Sequence, residues 1–129
     1  MQNVKFFIAK IVPLALWCLL IFYFSSLPVQ PIIDADALGV YNILLRKVVH
    51  VVEFAVLAVL AQRCFKSWTF GKKRIGGAVA ILFSLAYAIF DEWHQTFIFG
   101  REGKPLDVIT DVCGIVLGYI AWKKIKKLL

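Results

Sequence analysis

Four long apolar segments, separated by shorter polar ones, constrain this chain more than any other feature. They cover residues 6–24, 48–62, 75–91 and 107–122 of the 129-residue chain. A helix of about 20 apolar residues crosses the ~30 Å hydrocarbon core of a bilayer and satisfies its own backbone hydrogen bonds there. Because 61% of the residues are hydrophobic and only 18% are charged, a soluble domain of this size would leave too much apolar surface in water. The pattern predicts one all-α domain over residues 1–129, an integral membrane four-helix bundle.

The distribution of basic residues predicts how the four spans are oriented. Eleven of the fifteen Lys and Arg residues lie in the N-terminal flank, in residues 62–74 or in the C-terminal tail. These three segments fall on one side of a four-span chain, and short basic segments are retained in the cytoplasm. We therefore expect both termini to be cytoplasmic. The net charge of +7 is explained by this topology and by anionic lipid, so no nucleic-acid partner is expected.

The segment between the first two spans is predicted to be an outer loop, from about Leu27 to Leu45. Pro28 and Pro31 indicate the end of the first helix, and Asp34 and Asp36 give the loop a polar side that suits the membrane interface. A cleaved signal peptide is the alternative interpretation of the first apolar segment. It is disfavoured because the segment is long and is followed by a poor cleavage site.

Polar residues of the last three spans reach a common level near the outer membrane boundary. All eight acidic residues fall on this predicted outer side. A charged group inside a span costs about 2.5–3.5 kcal/mol at the bilayer centre on insertion scales, so it is a candidate for function. The candidate polar cluster comprises His50, Glu53, Asp91, Glu92, His94, Gln95, Arg101, Asp107 and Asp111.

The fourth span indicates which of its faces is buried. Asp107, Asp111, Gly114 and Gly118 follow one another at helical spacing and share one stripe. Glycines four residues apart allow another helix to approach closely. We therefore expect Gly114 and Gly118 to be the helix-packing residues, with both aspartates directed into the bundle.

These residues together resemble a known family, the VanZ-like family of small multi-helix bacterial membrane proteins. The resemblance covers about residues 46–118. Its motifs are His50-x-x-Glu53, Asp91-Glu92-Trp93-His94-Gln95, Gly100-Arg101-Glu102-Gly103 and Asp107-Val108-x-x-Asp111-x-x-Gly114-x-x-x-Gly118. Asp111 departs from the pattern, since the family more often has Asn there.

The resemblance implies a phenotype more than a reaction. The founding member of the family is linked to resistance against teicoplanin, a glycopeptide antibiotic that acts outside the membrane. This implies a location in the bacterial plasma membrane and a role in cell-envelope biology or glycopeptide resistance, with the polar cluster as the functional core. It does not imply whether any reaction is catalysed.

Several interpretations of the cluster remain open at this point. As a binding site, it would take a lipid-linked envelope precursor or the glycopeptide, with Arg101 holding a phosphate through two hydrogen bonds. As an enzyme, it would act on a lipid head group or glycan, with Glu53 and Asp91 in different environments. As a structural feature, it would only join helices. Proton-coupled transport by a homodimer is disfavoured, because no carboxylate lies in the cytoplasmic half of a span.

A divalent metal ion is a further alternative for the cofactor. Two imidazoles and two carboxylates are a suitable ligand set for Zn²⁺ or Mn²⁺. The candidate ligands are His50, Glu53, Asp91 and His94.

Overall fold

The computed structural model describes residues 2–29 and 37–128, and within these ranges the chain is almost entirely helical. The helices are α1 (Gln2–Ser25), α2 (Ala37–Phe65), α3 (Gly76–Gln95) and α4 (Asp107–Leu128). A hairpin of two short strands, β1 (Thr69–Phe70) and β2 (Lys73–Arg74), lies between α2 and α3. The all-α four-helix prediction is confirmed.

Helix α2 is longer than the apolar segment that predicted it. It begins at Ala37 rather than near residue 48, so the prediction of a loop as far as Leu45 is wrong over residues 37–45. The residues from Leu38 to Leu45 are mostly apolar and include no proline, so the helix continues without interruption. Asp34 and Asp36, which we placed in the outer loop, lie outside the described residues.

The hairpin between α2 and α3 was not predicted. Its two strands pair antiparallel, with Phe70 opposite Lys73. Gly71 has φ = +58°, which is the backbone conformation required at the first turn position of a tight type II′ hairpin. The sequence signal was therefore present, but it comprised one glycine within a basic loop.

Helix α2 lies at the centre of the bundle and contacts each of the other three helices. Its Phe54, Leu57 and Ala61 are fully buried. Helix α4 approaches α2 most closely at its two glycines. A Cβ at Gly114 would collide with the carbonyl oxygen of Val51, and one at Gly118 would collide with that of Ala55.

The outer surface of the bundle is strongly apolar. Large side chains such as Leu16, Leu19, Leu82 and Leu117 are more than half exposed, and an apolar surface this extensive indicates contact with lipid or another protein. Two helices, Val4–Ser25 and Gly76–Gln95, are long and apolar enough to cross a membrane. Among the described helices, α2 and α4 do not meet the same criterion of hydropathy and charge.

Candidate functional site

Three helices bring a histidine and two aspartates together near the end of the bundle where α3 ends and α4 begins. His50 of α2 forms a hydrogen bond from Nδ1 to Oδ1 of Asp111 on α4, at 3.0 Å. Asp91 of α3 completes the group, and one donor atom from each of the three residues lies within 4.8 Å of the others. Asp91 and Asp111 are almost fully buried, whereas His50 is partly exposed.

The packing of α4 on α2 explains why Asp111 meets His50. Gly114 fits against the backbone of Val51, the residue that directly follows His50. Asp111 lies one helical turn before Gly114 and is therefore held beside the imidazole. The predicted glycine face thus packs against α2 within the chain, and it carries Asp111 into the bundle as expected.

Glu53 and Gln95 extend this group. Gln95 donates from Nε2 to Oδ2 of Asp91 at 2.9 Å, which fixes the carboxylate. Glu53, which is 9% exposed, interacts electrostatically with His50, Asp91 and Asp111. Its backbone carbonyl oxygen accepts a hydrogen bond from Nε1 of Trp17 at 2.9 Å, which ties α1 to α2 at this level.

Glu92 connects α3 to the loop that precedes α4. Its Oε1 accepts a hydrogen bond from the backbone N–H of Lys104. Its Oε2 is buried and has no hydrogen-bond partner among the described residues. Gly103 permits this contact, because a Cβ there would meet the side chain of Thr96 and the carbonyl oxygen of Glu92.

Two nitrogens of the Arg101 guanidinium donate hydrogen bonds to backbone carbonyl oxygens at and just beyond the end of α1. Its Nε donates to the carbonyl oxygen of Leu27 at 3.0 Å, and its Nη2 donates to that of Phe24 at 2.9 Å. The N–H groups of Nη1 and the second N–H of Nη2 are not used by these two contacts, so the two-hydrogen-bond phosphate contact suggested by the sequence stays a prediction. Burial, with Arg46 as the next contributor, lowers the pKa of Arg101 from its ordinary value, but a guanidinium stays charged at physiological pH. Arg101 therefore joins the loop to the carboxyl end of α1.

His94 lies apart from the other histidine and does not join the candidate metal ligands. Its ring stacks on Phe22 at a centroid distance of 4.5 Å, and its Nε2 is 2.9 Å from Oγ of Ser26. The set His50, Glu53, Asp91 and His94 is therefore not the group that the structure brings within ligand distance. Asp111 takes a place in that group, and His94 contacts α1 instead.

A cavity of about 690 Å³ opens beside the buried group. It is lined by Ile43, Arg46, Lys47, His50, Glu92, Gln95, Gly100, Arg101, Glu102, Lys104, Asp107 and Thr110. The lining includes all four basic residues that lie outside the predicted cytoplasmic segments, namely Arg46, Lys47, Arg101 and Lys104. Lys104 pairs with Glu102 at 2.7 Å, whereas Arg46 and Lys47 form no ion pair among the described residues.

Five predicted site residues line the cavity, namely His50, Glu92, Gln95, Arg101 and Asp107. Two more, Asp91 and Asp111, lie directly beside His50 in the buried group.

The sequence did not indicate that Thr110 or Arg46 lines the cavity, although Arg46 precedes His50 by one turn. It did place Lys47 on the same helix face as His50 and Glu53, at the spacing i, i+3, i+6. Trp17 carried no such signal, because its partner lies on a distant helix. Ser26 follows the first apolar segment at the level of the polar cluster, but the sequence did not indicate its contact with His94.

Comparison with known proteins identifies the family but supplies no template for the site. No curated protein and no solved structure matches the chain. The model of the VanZ/LLP1 family matches residues 7–127, which includes every residue of the cavity and the buried group. The chain belongs to the VanZ/LLP1 family.

Proposed function

We propose that the protein is a four-span protein of the bacterial plasma membrane that binds the polar head group of an envelope component in this cavity. The component is of the lipid-linked precursor class. The observation that carries the proposal is the cavity of about 690 Å³ with polar residues from α2, α3, α4 and the loop between α3 and α4. Both termini would lie in the cytoplasm, which directs the cavity to the outside of the cell.

The charge distribution supports this orientation. The end of the bundle away from the cavity carries Lys123, Lys124, Lys126 and Lys127 on α4, together with the basic hairpin loop. Basic residues next to a span favour the cytoplasmic side and its anionic lipids. The exposed apolar side chains between the two ends give the bundle a surface that suits hydrocarbon.

The cavity offers both kinds of contact that a sugar–phosphate head group needs. Arg46 and Lys47 provide cationic donors that no described carboxylate neutralises. Glu92 lines the cavity and its buried Oε2 has no partner among the described residues, so a rotation of the side chain would offer a ligand hydroxyl or amine an acceptor. A buried polar atom without a partner is destabilising by about 1–3 kcal/mol, so a ligand that supplies the missing hydrogen bond is favoured.

Glycopeptide resistance is the phenotype that tests this proposal. Teicoplanin susceptibility is measured in a Gram-positive host that expresses the wild-type chain, the double variant Glu53→Gln/Asp91→Asn, or the control Lys72→Gln, with membrane levels matched by immunoblot. Lys72 is exposed in the turn of the β1–β2 hairpin and does not line the cavity. We expect the wild type and the control to raise the inhibitory concentration and the double variant to leave it unchanged. If the wild type has no effect, the resistance role is rejected.

A second candidate function is that of a membrane enzyme acting on a lipid-linked head group or glycan. The observation in its favour is the contact of His50 Nδ1 with the buried Asp111 carboxylate. A carboxylate that accepts from one imidazole nitrogen orients the ring and leaves the other nitrogen for acid–base chemistry. Mass spectrometry of lipid extracts distinguishes the two functions. A new lipid product that disappears with His50→Gln indicates catalysis, and unchanged lipids with retained resistance indicate binding alone.

A further inference from the structure

We propose that His50, Asp91 and Asp111 hold one divalent cation directly beneath the cavity. These residues come from three different helices, and a donor atom from each lies within 4.8 Å of the other two. This proposal is independent of the proposed head-group binding. It is argued from the buried residues beneath the cavity, and the metal content of the protein can be measured with no head group present. The proposal changes the ligand set expected from the sequence, since Asp111 enters the set and Glu53 and His94 leave it.

The state of Asp111 is the second observation that points to a cation. The residue is 0% exposed, and Oδ1 is occupied by His50. Its Oδ2 is buried and accepts no hydrogen bond from any described residue. Solvent does not hydrate this oxygen, so a carboxylate is stable there only when a cation or a proton neutralises it. A metal ion does so without requiring a further side chain.

The balance of charge around the three residues leads to the same conclusion. The Glu53 carboxylate is within electrostatic range of His50, Asp91 and Asp111. Three carboxylates therefore surround one imidazole. Arg101 also interacts with Glu53 and Asp91, so even with a protonated His50 the two cationic groups leave one of the three negative charges uncompensated. Uncompensated buried carboxylates are strongly destabilising, and one divalent cation reduces this repulsion.

The donor atoms define the class of metal. One imidazole nitrogen with two carboxylate oxygens suits Zn²⁺ or Mn²⁺. Ligand bonds to Zn²⁺ are about 2.0–2.2 Å long, so atoms within 4.8 Å of one another need only small side-chain shifts. Gln95 already orients Asp91 through a hydrogen bond, as supporting residues around metal sites do. His50 lines the cavity, which provides the path by which the ion enters.

Metal analysis of the purified protein tests the inference. The full chain is purified in detergent with an affinity tag that contains no histidine. It is incubated with Zn²⁺ or with Mn²⁺, desalted, and measured by inductively coupled plasma mass spectrometry. The variants are Asp91→Asn and Asp111→Asn, which keep the side-chain shape and remove its charge. Glu102→Gln is the control, because Glu102 is a solvent-exposed carboxylate of the adjacent loop.

We expect about one ion per chain in the wild type and the control, and occupancy at least about tenfold lower in both variants. The thermal unfolding temperature is measured with and without the metal, because a ligand that binds only the folded state raises it. We expect this rise in the wild type and not in the variants. Wild-type occupancy below about 0.1 ion per chain overturns the inference. Equal occupancy in folded Asp91→Asn or Asp111→Asn protein also overturns it, because the ion would then be bound elsewhere.

Discussion

The two ends of the bundle bury different kinds of side chains. At the end beside the cavity, which we call the polar end, the buried residues include Asp91, Glu92 and Asp111. At the opposite end, which we call the apolar end, α2 buries Leu57 and Ala61. Helices α2, α3 and α4 pack together at both ends. The fold alone therefore does not require one end to bury carboxylates and the other to bury apolar side chains.

The hydrogen bonding of buried polar atoms shows what the difference means. The apolar end buries Gln62 and Ser84, and each donates to a backbone carbonyl oxygen. Among the described residues, the buried polar atoms without a partner are Oγ of Ser25, Oε2 of Glu92 and Oδ2 of Asp111, and all three lie toward the polar end. The apolar end is therefore complete as it is folded, whereas the polar end has unused capacity to bind. The following predictions test this comparison, in order of decreasing effect on stability.

We expect the largest loss of stability from Gly118→Val, which disrupts the close packing of α4 against α2. A Cβ at this position would collide with the carbonyl oxygen of Ala55, so α4 must move away from α2. Overpacking is typically destabilising by about 1–3 kcal/mol and occasionally by more, and we expect a value above this range because the clash is with backbone atoms that cannot rotate away. We expect the variant to accumulate poorly in the membrane or to unfold at a much lower temperature. The control is Leu117→Val, since Leu117 is 53% exposed, and equal stability of the two variants would contradict the packing of α4 on α2.

Leu57→Ala removes a fully buried side chain from the apolar end. We expect a loss of about 2–5 kcal/mol in the free energy of unfolding, because the helices cannot close the resulting cavity completely. Reversible unfolding in mixed micelles measures this loss against Leu117→Ala as the exposed control. We also expect the remaining folded protein to bind metal as the wild type does. A loss of metal in folded Leu57→Ala protein would mean that the two ends are not separable.

The sequence predicted the fold better than it predicted the site. The apolar segments and the stripe formed by Asp111, Gly114 and Gly118 depend on spacing within single helices, which the sequence shows directly. The rotation of α3 against α1 and α2 does not depend on local spacing. His94 and Asp91 are neighbours on α3, yet His94 contacts Ser26 and Asp91 approaches His50. Likewise, the hydrogen bonds from Arg101 to the carbonyl oxygens of Phe24 and Leu27 depend on where a loop meets the end of a distant helix.

We expect Asp91→Ala to abolish the proposed teicoplanin resistance. We expect it to lower the free energy of unfolding by only about 1 kcal/mol, because polar contacts between membrane helices contribute little on average. The residue is buried and binds Gln95, but the neighbouring core is apolar and remains intact. Teicoplanin susceptibility and membrane level by immunoblot are measured together. If the variant fails to accumulate, Asp91 is a structural residue and the functional interpretation of the polar end is wrong at this position.

The smallest effect is expected from Tyr87→Phe, between the two ends. The Tyr87 hydroxyl donates to the carbonyl oxygen of Cys18 and so joins α3 to α1. Loss of one such bond costs about 0.6 kcal/mol in a membrane bundle. Thermal unfolding in detergent is compared with that of Tyr41→Phe, whose side chain is 63% exposed. A loss in Tyr87→Phe as large as that in Leu57→Ala would show that polar contacts hold the bundle together.

The central claim is that the polar end forms a binding cavity open to the outside of the cell, and cysteine accessibility tests it most directly. In a background in which Cys18, Cys64 and Cys113 are replaced by alanine, single cysteines are introduced as Thr110→Cys in the cavity and Lys124→Cys at the opposite end. Intact cells are treated with a maleimide that does not cross membranes. We predict that Thr110→Cys reacts in intact cells and that Lys124→Cys reacts only after permeabilisation. The reverse pattern would place the cavity in the cytoplasm and would contradict the account.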